Sequence, residues 1–89
     1  MYEIVFTSRA RREFEKLSMT FQEHLAAAIE HLEVNPRPVG VKKLTGLIYR
    51  LRVGDWRIIY AVLDKQRRVV IVKVARRSED TYDNVKGLF

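Results

Sequence analysis

The sequence predicts an α+β domain in which a helix pair packs on one face of a small, mostly antiparallel sheet. Two observations support this class. Apolar residues recur at helical spacing through residues 9–34, and from about residue 41 the period changes to two. The predicted order is β-α-α-β-β-β-β-α in a single domain over residues 1–89, since a chain of 89 residues has room for only one modest core.

The chain is predicted to begin with a strand and a helix. Tyr2–Phe6 is rich in aromatic and β-branched residues, which favours a strand. Thr7-Ser8 follows and offers an N-cap, because a hydroxyl can accept a hydrogen bond from a free amide of the first helical turn. The first helix is then expected over Arg9–Leu17, with its apolar residues on one face.

A second helix is predicted from Thr20 to about Val34. Thr20 and Glu23 have the spacing of a capping box, in which each side chain accepts from the other residue's backbone. Asn35-Pro36 should end the helix, because the residue before proline is disfavoured in the α region. The apolar stripe of this helix consists of Phe21, Leu25, Ile29 and Leu32.

Four strands and a short helix are predicted to complete the domain. The turns between strands are expected at Thr45-Gly46, at Gly54-Asp55 and at Asp64–Gln66. Ser78 can cap the short C-terminal helix. The expected strands are Val41–Leu44, Ile48–Val53, Trp56–Leu63 and Arg68–Ala75, the last of them central and covered on both faces.

Positive charge is concentrated in the predicted sheet. The formal net charge of the chain is +6. Residues 37–77 alone carry 12 basic and 2 acidic side chains, a net charge of +10, whereas the segments on either side are each net −2. A charge distribution of this kind indicates a polyanionic partner, most often a nucleic acid.

Several other functions are excluded. The chain has no cysteine, so disulfides, thiolate metal sites and cysteine nucleophiles are absent. It has no GxGxxG, P-loop or HExxH motif. His24 and His31 are seven residues apart, which does not favour a metal pair, so we predict neither a metal nor a cofactor. No apolar run suits a secretion signal or a membrane span, and we predict a cytoplasmic location.

Arginine is the remaining chemical resource. Arg50 and Arg52 should share one strand face, and a hairpin at Gly54-Asp55 should bring Arg57 close to them. Arg76 ends the next strand, and we expect all four guanidinium groups on one sheet surface. Like charges repel, so such a cluster is most favourable where a phosphate supplies the opposite charge. A solvated charged face is the alternative interpretation.

The order of these features resembles the RelE/ParE superfamily of toxins over nearly the whole chain. The resemblance is carried by Lys43-Leu44-x-Gly46, by Tyr49–Tyr60 (YRLRVGDWRIIY) and by Val74–Tyr82 (VARRSEDTY). The opening Phe6-Thr7-x-x-Ala10 is also similar to that family's first strand and helix.

The resemblance implies the toxin of a type II toxin–antitoxin pair with RelE-like activity. Such a toxin is a metal-independent endoribonuclease, an mRNA interferase that enters the ribosomal A site. There the 2′-hydroxyl of the mRNA attacks the adjacent phosphate, and translation stops. A ParE-like DNA gyrase poison, or a non-catalytic RNA-binding domain on the same fold, remains the alternative.

The resemblance also implies roles for individual residues. Arg50 and Arg52 match a basic pair that binds and activates the RNA, Arg57 and Arg76 match arginines that hold the scissile phosphate, and Tyr82 matches a functional tyrosine. The family's best-known basic pair is lysine, and arginine is a poor base because it stays protonated. The general base therefore stays open, with Tyr82 orienting the RNA or assisting proton transfer.

The expected partners follow from the same resemblance. A cognate antitoxin should wrap and neutralise this chain, and contact with DNA should occur only through the antitoxin complex. The mRNA and the rRNA of the ribosome are the expected nucleic-acid partners, and no membrane is involved. RNA and ribosome contacts are expected from Lys42, Lys43, Arg50, Arg52 and Arg77.

Overall fold

The fold consists of a five-stranded sheet with two helices packed on one face, in a computed structural model that describes residues 1–76. This arrangement confirms the predicted α+β class. The predicted helix after Ser78 lies outside the described residues. The helices are α1 (Ser8–Glu15) and α2 (Met19–His31), and the strands are β1 (Glu3–Phe6), β2 (Lys42–Thr45), β3 (Ile48–Val53), β4 (Trp56–Leu63) and β5 (Arg68–Arg76).

The strand order across the sheet is β1-β5-β4-β3-β2. The first strand pairs parallel to β5, and the remaining neighbours are antiparallel. Strand β5 is therefore internal, as its β-branched composition predicted. The tight turn between β3 and β4 includes Gly54 at φ 60°, a left-handed conformation that glycine adopts without steric cost. This turn sets the register in which the arginines of the two strands meet.

The two helix starts differ in how well they were predicted. Thr7 caps α1 as expected, and its hydroxyl accepts a hydrogen bond from the Ala10 amide at 3.1 Å. The predicted N-cap Thr20 is wrong, because Ser18 occupies that position and accepts from the Phe21 amide. The Gln22 side chain stabilises the earlier start by donating to the Leu17 carbonyl at 2.9 Å. The first helix also ends two residues earlier than predicted, at Glu15 rather than Leu17, so the connection between the helices lies earlier in the chain but is not shorter.

The second helix also ends earlier than predicted. It ends at His31 rather than near Val34, and the amides of Val34 and Asn35 both hydrogen-bond to the His31 carbonyl in a terminal turn. This turn leads to Pro36, whose carbonyl accepts from the Tyr60 hydroxyl at 2.7 Å. Tyr60 is fully buried, and burial raises the pKa of its phenol. The loop after α2 is thus anchored to the middle of the sheet.

Most of the core lies between the helices and the sheet. The residues on this face come from both helices and from β4 and β5, and partly buried residues of β1 and β3 pack against them. A smaller buried cluster lies on the other face of the sheet, so β5 and β4 are buried on both faces, as predicted for β5. The main cluster comprises Ala10, Leu25, Ile29, Leu32, Ile58, Tyr60, Val62, Val69, Ile71 and Val74, and the smaller one comprises Ile48, Ile59, Ala61 and Val72.

A polar network stabilises the end of the sheet at the turn between β4 and β5. Asp64 accepts hydrogen bonds from Arg37 at 2.6 Å and from the Tyr2 hydroxyl at 2.6 Å. Arg37 also donates to the Tyr49 hydroxyl at 3.0 Å. Hydrogen bonding from Arg37, and then from Tyr2, lowers the pKa of the Asp64 carboxyl. One carboxylate thus connects β1, the loop after α2 and the β4–β5 turn.

Changing Asp64 to asparagine should lower stability at neutral pH and matter progressively less in acid. A carboxyl whose pKa is lowered by folding stabilises the fold above its unfolded pKa of about 3.9 and loses that effect as pH falls through the folded pKa. Urea unfolding of both proteins between pH 7 and pH 2.5 measures this difference. Asp55→Asn, in the turn at the opposite end of the sheet, is the control. If the free energy of unfolding differed between Asp64→Asn and the unmodified protein by the same amount over this whole pH range, the stabilising role of the Asp64 carboxylate would be contradicted.

Candidate active site

Three arginines lie on the face of the sheet opposite the helices. Along β3, Tyr49 and Leu51 pack toward the main core, so the alternating residues Arg50 and Arg52 are on the other face. Arg52 and Arg57 are direct cross-strand partners and therefore share this face. The predicted placement of these three residues on one sheet face is thus confirmed, and we refer to Arg50, Arg52 and Arg57 as the arginine face.

Exposure differs across the arginine face. Arg50 is only 7% exposed, Arg57 is half-buried and Arg52 is exposed. Lys42, which is exposed, lies directly across from Arg50 on β2 and extends the positive charge to the edge of the sheet. A guanidinium partly withdrawn from water interacts more strongly with an anion, because the surrounding dielectric constant is lower. The face therefore combines one buried, one half-buried and one accessible guanidinium group.

Arg76 does not lie on the arginine face. It is the cross-strand partner of Trp56, and its guanidinium carbon lies 5.2 Å from the centroid of the Trp56 ring. The Trp56 side chain packs against the main core, on the helix face of the sheet. The expectation that four guanidinium groups share one surface is therefore wrong for Arg76.

A β-bulge explains why Arg76 is on the helix face. Ile59 and Tyr60 are consecutive in β4, but they pair with Lys73 and Ile71, so β5 contains one extra residue at Val72. An extra residue reverses the alternation of all side chains that follow it. Strict alternation from Ile71 would place the Arg76 side chain on the same face as Arg57, whereas the bulge places it on the face of Trp56.

Glu13 is a site residue that the sequence analysis missed. Its Oε1 accepts the Val74 amide at 2.9 Å, at the part of β5 that extends beyond the end of β1. Its Oε2 lies 3.6 Å from the Lys73 ammonium, which is 5% exposed, and 3.3 Å from Arg9. Glu13 thus accepts the hydrogen bond that a neighbouring strand would otherwise accept from β5, and it pairs with the buried Lys73 ammonium. Both contacts hold the end of β5 that carries Arg76 in place. Its spacing from Arg9 indicated only a surface pair.

The other predicted contact residues fall in different places. Lys43 is exposed on the edge strand, but it pairs with Tyr49 and so lies on the helix face rather than beside Arg50. Arg77 and Tyr82 lie outside the described residues.

The described residues hold no arrangement that could bind a metal ion through three or more acidic, histidine or cysteine side chains. His24 and His31 are both exposed on α2. Over residues 1–76, neither helix has the length and apolar composition needed to cross a bilayer.

The positive charge of the chain is divided between the two ends of the sheet. At the β4–β5 turn, Arg37 pairs with Asp64, and Arg68 pairs with Glu3 at 2.9 Å. At the β3–β4 turn, the arginine face gathers its cations by strand pairing. The positive charge of the sheet region is therefore partly balanced by ion pairs at the β4–β5 turn.

Comparison with known proteins identifies the class of this small α+β fold as that of toxins from type II toxin–antitoxin pairs. A family described as the ParE toxin of type II toxin–antitoxin systems matches residues 4–81. The toxin RelE of Mycobacterium tuberculosis is 32% identical over 83 residues, which cover 86% of this chain and 82% of that protein. The mRNA interferase toxin RelE of Escherichia coli K12 is 30% identical over 80 residues, covering 85% and 83%. This chain belongs to the RelE/ParE family of type II toxins.

Solved structures support the same assignment. The archaeal RelE–RelB complex from Pyrococcus horikoshii OT3 contains a chain that superimposes with a TM-score of 0.80 at 27% identity, covering 88% of this chain and 97% of that one. The isolated E. coli RelE toxin superimposes with a TM-score of 0.80 over the full length of both chains, at 23% identity, and supports the fold alone. The resemblance predicted from the sequence is thus confirmed.

Proposed function

We propose that this chain is a ribosome-dependent endoribonuclease that cleaves mRNA in the ribosomal A site and so inhibits translation. The observation that carries the proposal is the arginine face, on which Arg52 and Arg57 are direct cross-strand partners and Arg50 is buried beside them. The similarity to relatives that are named mRNA interferases supports the same activity.

The proposed reaction is a phosphoryl transfer within the RNA. The 2′-oxygen loses its proton and bonds to the adjacent phosphorus, while the bond from phosphorus to the 5′-oxygen of the next nucleotide breaks and that oxygen gains a proton. The products are a 2′,3′-cyclic phosphate and a 5′-hydroxyl. Negative charge increases on the phosphate oxygens in the transition state, and fixed guanidinium donors stabilise that charge.

We assign roles in the proposed reaction to individual residues according to the family pattern. Arg50 and Arg52 bind and orient the RNA, and Arg57 and Arg76 hold the scissile phosphate. Arginine remains protonated in proteins, so none of these four can take the proton from the 2′-hydroxyl. We assign Tyr82 to orienting the RNA or assisting proton transfer, although a phenol with an ordinary pKa of about 10 needs nearby positive charge to act at neutral pH.

The proposed partners are a cognate antitoxin and the translating ribosome. Solved relatives include toxin chains in complex with RelB antitoxins, which supports an antitoxin partner for this chain. Lys42, Lys43 and Arg77 would contact the backbone of mRNA or rRNA, an interaction that depends on charge rather than sequence. The toxin would act in the cytoplasm, without metal or cofactor, and would meet DNA only through the antitoxin complex.

A ParE-like gyrase poison is the second candidate, because the matching family is described as ParE toxins. Primer extension on an mRNA incubated with the toxin, with and without translating ribosomes, separates the two candidates. Cuts within codons that occur only with ribosomes are expected. Intact mRNA together with gyrase-linked DNA breaks would establish the second candidate instead.

A further inference from the structure

The Arg76 guanidinium lies over the ring of Trp56 rather than beside Arg57. The distance from its central carbon to the ring centroid is 5.2 Å. A guanidinium in this position covers a π-surface on which nucleobases also stack, since both are flat and delocalised. An arginine that the family pattern assigns to a phosphate is thus found on an aromatic ring in the RNA-free protein.

We propose that the Trp56 ring is a stacking site for one nucleobase of the bound RNA, and that Arg76 occupies this site when RNA is absent. When RNA binds, the base takes the place of Arg76 on Trp56, and Arg76 turns from the ring to the RNA phosphate at the point where the RNA crosses the end of the sheet beside the β3–β4 turn. This inference rests on the proposed function, because it requires RNA on the arginine face.

The surroundings of Trp56 suit a fixed stacking surface. The ring is half-buried and packs against the main core. Phe21 of α2 contacts it with ring centroids 5.5 Å apart and planes inclined at 57°. Phe21 is itself 38% exposed, which leaves an aromatic surface accessible beside Trp56. A ring held on one side by packing loses little freedom when a base stacks on it.

The position of Trp56 also suits a nucleotide bound at the arginine face. Trp56 directly precedes Arg57, and the two side chains lie on opposite faces of β4 at its first residues. Both residues border the β3–β4 turn, where the sheet ends. A nucleotide that crosses this end of the sheet can place its phosphate on one face and its base on the other.

Exchanging the contact between Arg76 and Trp56 for one between Arg76 and a phosphate is also chemically favourable. An exposed cation–π contact is weak, whereas a guanidinium and a phosphate form charge-assisted, often bidentate hydrogen bonds. The Trp56 surface that Arg76 leaves would be covered again by the base. Arg76 therefore gains a stronger partner without leaving the aromatic ring in water.

The RNA-free arrangement can be tested because Trp56 is the only tryptophan in the chain. Arg76→Ala should shift the tryptophan emission to the red and make it more accessible to acrylamide. Arg11→Ala is the matched control, since the Arg11 guanidinium lies over the ring of Phe6, 5.9 Å from its centroid, and the change should alter neither property. Unchanged emission and accessibility in Arg76→Ala would overturn the proposal.

The base-stacking site can be tested on ribosomes programmed with synthetic mRNAs. Each mRNA carries an abasic ribonucleotide at one codon position, which removes the base but keeps the 2′-hydroxyl and the phosphate. At one of the codon positions, the abasic nucleotide should raise the half-saturating concentration of the unmodified toxin about tenfold. Trp56→Leu should show a similar increase on the intact codon and no further increase on the abasic one, whereas Trp56→Phe should behave much like the unmodified toxin.

Tyr49→Leu is the matched control for loss of an aromatic ring on the helix face, because Tyr49 stacks on Tyr60 away from Trp56. It should remain fully sensitive to the abasic position. A tenfold abasic effect that persists in Trp56→Leu, or no abasic effect in the unmodified toxin, would overturn the stacking site while leaving the proposed function intact. If the toxin cleaves no ribosomal mRNA at all, the proposed function fails as well.

Discussion

Arg57→Ala should slow mRNA cleavage on the ribosome by about 10²–10³-fold, the usual effect of removing one donor to a developing oxyanion. Arg57 is held in register opposite Arg52 and is half-buried, so its guanidinium is already oriented before the RNA arrives. The measurement is the single-turnover cleavage rate at saturating toxin. Because saturation removes differences in binding, a change in this rate reports on the transition state.

Two further variants define what Arg57 contributes. Arg57→Lys keeps the charge but loses the planar, bidentate donor, and it should fall between the alanine variant and the unmodified toxin. Arg68→Ala removes an arginine from the β4–β5 end of the sheet, where it pairs with Glu3, and should cleave at a nearly normal rate. A nearly normal rate in Arg57→Ala, or an equal loss in Arg68→Ala, would show that general basicity rather than the arginine face drives cleavage.

Glu13→Ala should produce a large loss of stability, although the Glu13 side chain is only partly buried. It leaves the buried Val74 amide without its acceptor and the Lys73 ammonium without its carboxylate. An unsatisfied buried amide costs about 1–3 kcal/mol, and an uncompensated buried charge costs a similar amount or more. Because Glu13 is 25% exposed, water compensates part of this, and we expect a loss of about 3 kcal/mol in urea unfolding.

Two variants separate the roles of Glu13. Glu13→Gln keeps an oxygen for the Val74 amide but leaves Lys73 without a counter-charge, so its loss should be intermediate. Adding Lys73→Met to Glu13→Gln removes the buried charge and should restore part of the stability. A loss below about 1 kcal/mol in Glu13→Ala would contradict a structural role at the end of β5.

The parts of the fold that depend on local pattern were predictable. The alternation in Ile48–Val53 and the Gly54-Asp55 turn are enough to place the three residues of the arginine face on one side of the sheet. Both signals are local, because they lie within the single hairpin of β3 and β4. The cap of α1 was predictable for the same reason, since Thr7 acts on an amide three residues away. At the start of α2, two hydroxyl residues compete, and the Gln22 contacts favour Ser18 over Thr20.

The parts that depend on long-range contacts were not predictable. The bulge at Val72 reverses the direction of Arg76, and a continuous run of β-branched residues carries no local sign of it. The role of Glu13 arises only because β1 ends before β5 does, so that a helix side chain takes the place of a strand. Both features act on the end of β5, and there the site differs from its sequence-based prediction.

The measurement that tests the central claim most directly is cleavage of a ribosome-bound mRNA with one 2′-deoxynucleotide immediately before the mapped cut. If the 2′-oxygen is the nucleophile and the arginines stabilise the phosphate, the deoxy mRNA should stay intact at that bond. The all-ribose mRNA should yield a 2′,3′-cyclic phosphate and a 5′-hydroxyl. Cleavage of the deoxy bond at an undiminished rate, or a 3′-hydroxyl product from the all-ribose mRNA, would contradict this mechanism.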